Sequence, residues 1–164
     1  MFSNKMTLLV AGLILVALAI AGGTWWHVVM SRANPPLPED QVTVGRATFT
    51  VEIASTTLEQ MTGLSYRTSL ADGHGMFFVF GAPAVQHFWM KDMNFAIDII
   101  WIANDAVAGF AENAQPQPGD ALWKLRIYSS PGGTDRVLEV PAGTVARDGI
   151  KVGDPVSVIH RDAG

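Results

Sequence analysis

From residue 6 to residue 31 the chain carries no Asp, Glu, Lys or Arg, and residues 8–20 (LLVAGLILVALAI) are apolar without a break. In a helix, residues 6–29 would extend roughly 36 Å, enough to cross a hydrocarbon core of about 30 Å with some tilt. Trp25 and Trp26 then fall at one end, where indole rings favour the membrane–water interface. The competing reading is a cleaved signal peptide, with Lys5 as its basic tail and Ala19-Ile20-Ala21 before Gly22 as a small-residue cut site. The anchor is preferred, because a cleavable peptide rarely carries a second apolar run past its cut. Both readings export the remainder of the chain. The expected location is the inner (cytoplasmic) membrane with the domain on its periplasmic side, and the alternative is a periplasmic form released by cleavage near Ala21.

Residues 32–40 contain Pro35, Pro36 and Pro38 and read as a short, stiff, extended linker. Residues 41–164 are enough for one modest core and no second domain. They hold nine basic and thirteen acidic residues, a net charge of −4 without a basic cluster, which does not suit nucleic acid or anionic lipid. The absence of cysteine excludes disulfides, thiolate nucleophiles and Cys-ligated metal.

Short elements recur along this domain. Residues 41–44 and 47–54 predict a β-hairpin around Gly45-Arg46, with Phe49, Val51 and Ile53 alternating against Thr48, Thr50 and Glu52. Thr56 and Glu59 make a capping box and Gly63 a stop, so residues 57–62 predict a two-turn helix. Strands are expected over 76–80 (MFFVF), 88–90, 97–102, 107–111, 136–140 and 156–159, with a second short helix at 144–148. Three prolines and three glycines between 115 and 133 predict a loop, broken at most by a short strand at 122–128. The fold class is mainly β (α+β): a small closed or partly closed barrel with two short helices, preceded by one transmembrane helix.

Asp98 is the most informative polar residue. It lies in an apolar strand, where a carboxylate must be paired, accept backbone amides or be protonated. Arg67, Lys91 and Arg126 are the candidate partners. The run Phe88-Trp89-Met90-Lys91 supplies an apolar platform with a cation at its rim. Arg67, Trp89, Met90, Lys91 and Asp98 therefore form the candidate ligand site, expected to converge with the 115–133 loop at its mouth. His87, Met90 and Met93 are soft-metal residue types, but strand alternation turns positions 87 and 90 to opposite faces, so no metal and no cofactor is expected. Ser129-Ser130-Pro131-Gly132-Gly133 lacks the G-x-S-x-G elbow of a hydrolase, and Gly73-His74-Gly75 lacks the Lys-Ser/Thr of a phosphate loop.

Residues 44–158 resemble the domain of unknown function 192 family. The resemblance is carried by Phe49–Ala54 (FTVEIA), Gly63-Leu64 with Arg67, Gly75–Phe80 (GMFFVF), Phe88–Lys91 (FWMK), Asp98–Ile102 (DIIWI), and 137–143 (VLEVPAG) followed by 149–154 (GIKVGD). It departs from the family pattern at Ser65, Asp92-Met93 and Ala96, where Met, Asn-Thr and Pro are usual. The resemblance implies a small, mostly β, often exported domain and brings no established activity. Residues 149–154 also look like the glycine–aspartate turn of cradle-loop barrels, which implies a structural role for Gly153 and Asp154, the carboxylate capping backbone amides. The leading expectation is a non-catalytic binding domain for a small ligand or a partner's segment. The alternatives are a small exported enzyme using Asp98 and Arg67 for acid–base or electrostatic work, and an interaction module of an envelope complex presenting an exposed apolar patch.

Overall fold

A computed structural model describes residues 33–159; the expected membrane helix or signal peptide of residues 1–31 lies outside the described residues. Among the described residues no helix is long and apolar enough to cross a membrane. The elements are β1 (Glu39–Val44), β2 (Ala47–Ala54), α1 (Thr57–Thr62), β3 (His74–Phe88), β4 (Ile97–Ala103), β5 (Ala106–Ala114), a 3-10 turn (Leu122–Lys124), β6 (Tyr128–Pro141), α2 (Thr144–Asp148) and β7 (Val156–Ile159). The strands form one sheet in the order β5-β4-β6-β3-β2-β1-β7. Among these strands only β2 and β3 pair in parallel; α1 and the turns after it make that connection.

The sheet curls into a half-barrel instead of closing. Its outer strands meet at one end, where the Val107 amide donates to the Asp154 carbonyl (2.9 Å) and the Val156 amide to the Asp105 carbonyl (2.8 Å). Beyond the single bridge Ala106–Pro155 no ladder joins β5 to β7. Both faces of the sheet are nevertheless covered. On one face Val42, Phe49, Phe77, Ile100 and Leu138 pack beneath Val145 of α2 and Ile150. On the other, Met76, Phe78, Ile99, Trp101 and Val137 pack beneath Leu64, Met90 and Met93. Burial on both faces explains why β4 reads as a continuous apolar run and not as an alternating one.

Four sequence expectations need correction. The strand at 76–80 continues to Phe88, because β6 pairs with it again from Ala84 to Phe88, with two register shifts along the pairing. No separate strand forms at 88–90; Trp89 and Met90 leave the sheet. The stretch 128–133, read as loop from its Pro and Gly content, is the start of β6. There Ser130 Oγ accepts the Gln86 amide (3.0 Å) and donates to the Gly132 carbonyl (2.6 Å), replacing ladder bonds across the irregularity. The remaining loop carries a 3-10 turn, not a strand.

Before β1, the proline segment runs along the domain. Asn34 Nδ2 donates to the carbonyls of Glu59 and Gly63 (both 3.0 Å), and the Leu37 amide donates to Glu52 Oε2 (3.0 Å).

Candidate functional site

Asp98 is fully buried and accepts two backbone amides, Asn113 on Oδ1 (2.8 Å) and Val145 on Oδ2 (2.9 Å). It ties β4 to β5 and to the first turn of α2. Arg67 does not reach it. Strand alternation puts Asp98 on the face of Ile100 and Ile102, beneath α2, whereas Arg67 follows Leu64, which packs on the opposite face. The expected convergence of Arg67 with Asp98 is thereby corrected, and with it the geometry that an enzyme using both would need.

Arg67 forms a two-pronged pair with Glu52 through Nη1–Oε1 and Nη2–Oε2, the second at 2.8 Å. Burial pushes the Glu52 carboxyl up, but the Arg67 bonds, the Leu37 amide and the Arg67 charge outweigh it, and the net direction is down. Lys91 pairs with its neighbour Asp92, whose Oδ2 also accepts the Tyr66 hydroxyl at 2.6 Å. Burial, then the bond to Asp92 and its negative charge, push the Tyr66 phenol up to about 12. Tyr66 and Asp92 both adopt positive φ (64° and 56°), so two strained turns are clasped by one side-chain contact. Met90 is buried in the core, and Trp89 is 41% exposed. In the turn before β7, Asp154 Oδ2 accepts the Lys151 amide (2.8 Å), and Gly153 has φ 92°.

A recess with a volume of about 210 Å³ lies between α1 and the outer half of β3. Its walls include Met61, Leu64, Phe80, Phe88 and Trp89, and Phe78 and Glu139 also line it. Phe88 stands edge-on to Phe78 (centroids 5.1 Å) and to Phe80 (6.5 Å). Gln60 Nε2 bonds the Val79 carbonyl at 2.7 Å and holds α1 against β3. Glu139 sits mid-strand in β6, between Met76 of β3 and Ile99 of β4. It is 5% exposed, and its Oε2 has no hydrogen-bond partner. Burial alone pushes its carboxyl up to about 8, so it is mostly neutral at pH 7. Among the described residues no group of three or more His, Cys, Asp or Glu is placed to hold a metal.

Of the five expected site residues, only Trp89 lines this cleft. Glu139 escapes the sequence reading, although a carboxylate inside Val137-Leu138-Glu139-Val140 carries the same signal that singles out Asp98. Away from the cleft, Leu122 and Trp123 of the 3-10 turn stand 70% and 85% exposed.

Residues 40–158 match the family model DUF192, described as an uncharacterized ACR. Two crystal structures are similar. A protein of unknown function from Novosphingobium aromaticivorans shares 35% identity, with 79% of this chain and 96% of that one covered and a TM-score of 0.67. A "putative transcription regulator" from Sinorhizobium meliloti shares 31% identity, with 77% and 98% covered and a TM-score of 0.68. No curated protein matches the chain.

Proposed function

The chain belongs to the DUF192 family, and on that premise we propose that it is a membrane-anchored extracytoplasmic domain that binds a small ligand between α1 and β3 without catalysis. One observation carries the reading: the buried Glu139 carboxyl lines an aromatic cleft and leaves Oε2 unpartnered. An unmade hydrogen bond of this kind costs about 1–3 kcal/mol, and a ligand donor would recover it. Seven apolar side chains, four of them aromatic, line the cleft beside seven polar ones, a concave mix that can both bury and orient a small molecule. Support for the anchor is the uncharged stretch at residues 6–31.

Full-length protein purified in mild detergent and weighed by native mass spectrometry is expected to carry a small-molecule adduct. Met61→Trp, which fills the mouth from a half-exposed position on α1, is expected to lose it. An adduct that persists in this variant, or adduct-free protein whose cleft resonances respond to no fragment, overturns the reading. For the anchor, the protein should stay with membranes through carbonate washing and be shaved by protease from outside. A soluble mature form starting near Gly22 overturns it.

A further inference from the structure

The aromatic lining and lone buried acid of the cleft also bear on the charge of what it takes; this inference rests on the proposed binding function. We propose that the cleft selects small organic ammonium ions, with Glu139 as counter-charge and Phe80, Phe88 and Trp89 as the aromatic surface around the cation.

The lining contains no Lys or Arg, so no cation of the cleft itself is available to Glu139. From α1 and the turn after it the lining residues are uncharged: Thr57, Gln60, Met61, Thr62, Leu64 and Ser65. Among the β3 residues that line the cleft only His87 is titratable, and its Nδ1 lies 2.9 Å from Ser129 Oγ at an exposed position. From β4 the neighbour of Glu139 is Ile99, and Asp98 turns to the other face of the sheet. Lys91 and Asp92, next to the lining residue Met93, neutralise each other. A positive group entering the cleft therefore meets one acid without a competing ion pair.

Aromatic faces attract cations, and alkylated ammonium ions, being weakly hydrated, lose least on entering such a site. An anion would find no counter-charge and would meet the negative faces of the rings. A neutral alcohol would gain a single hydrogen bond and no charge pairing. Because burial keeps the empty acid protonated up to about pH 8, an ammonium ion must displace that proton to form the ion pair. A cavity of about 150 Å³ accommodates benzene, so a cleft of about 210 Å³ suits a body of one ring and a short arm.

Benzylammonium, benzyl alcohol and benzoate share one body and differ in charge. Calorimetry with the full-length protein in non-ionic detergent at pH 7.5 should show benzylammonium at least tenfold tighter than benzyl alcohol, and benzoate weakest. Benzylammonium affinity should rise about tenfold per unit from pH 5.5 towards 7.5, with close to one proton released on binding. Glu139→Gln, whose neutral amide resembles the protonated acid, should fold normally, bring the amine and the alcohol to parity and abolish the pH slope. Equal binding of amine and alcohol, a flat pH profile or preference for benzoate would overturn the ammonium assignment while leaving the cleft a binding site. Binding that Met61→Trp does not weaken, or no binding of any of the three, would overturn the cleft reading itself and this inference with it.

Discussion

The Asp98 carboxylate and the Val145 amide meet at 2.9 Å across 47 positions of sequence, and the contact fixes the first turn of α2 against β4. An amide side chain keeps one acceptor there and turns a donor towards the other backbone N–H. Asp98→Asn is accordingly expected to cost about 2–4 kcal/mol in urea unfolding. Because Arg67 pairs with Glu52, Asp98→Asn and Arg67→Met should destabilise additively, within about 0.5 kcal/mol. A coupling above about 1 kcal/mol in the double-mutant cycle would show that the two residues communicate after all.

Glu139 makes a prediction of opposite sign to most carboxylates. Its folded value stands at about 8, above the open-chain value of 4.5. Its contribution to stability is therefore fully present below pH 4.5 and is lost as the pH rises towards 8. Ligand-free Glu139→Gln should escape this loss and exceed the wild type at pH 8.5 by roughly a few kcal/mol, read from urea midpoints at pH 5 and 8.5. Parallel curves for the two proteins would mean that the carboxyl is not neutral in the fold.

The chain has two tyrosines, which makes Tyr66 accessible to an absorbance titration of its phenolate. Ionisation is expected near pH 12 in the wild type. Asp92→Asn removes the negative neighbour and should move this transition towards 10, the positive φ at residue 92 being well tolerated by asparagine. An unmoved transition would show that burial, not Asp92, holds the phenol protonated.

At Gly75 the demand is for space. A Cβ there would lie 2.6 Å from the Glu139 carbonyl oxygen and 3.1 Å from Leu138 Cδ1. Neither can retreat readily, since β6 is held by β3 on one side and β4 on the other. Gly75→Ala should cost about 1–3 kcal/mol by overpacking, checked by a lowered urea midpoint with an unchanged slope. A neutral effect would mean that the β3–β6 seam can spread.

Much of the fold could be read from local chemistry. The capping box of Thr56 and Glu59, the Gly45-Arg46 turn and the glycine stop at 63 are decided by residues within a few positions of one another. The features that misread are decided by distant partners. Pro131 and Gly132-Gly133 look like loop until β3 is seen pairing alongside them, and Phe88-Trp89-Met90 looks like strand until the chain turns at Met93, whose amide donates to the Met90 carbonyl. The site is harder for the same reason. That Asp98 and Glu139 lie on opposite faces follows from the β4–β6 register, in which Asp98 faces Val140 and Ile99 faces Glu139. Such a register cannot be read from either strand alone. Arg67 has an eligible partner in Glu52, whose outward place in an alternating strand suggests only solvent.

The proline segment has a mechanical meaning. Along the described chain, Asn34 makes the first side-chain hold, on the Glu59 and Gly63 carbonyls; Leu37 holds Glu52 next, and only then does β1 begin. Tension applied ahead of residue 33 would be borne in that order. Gly63 belongs both to the end of α1 and to the lining of the cleft. The rim of the recess would therefore take up a pull on the N-terminal side before any strand is peeled from the sheet.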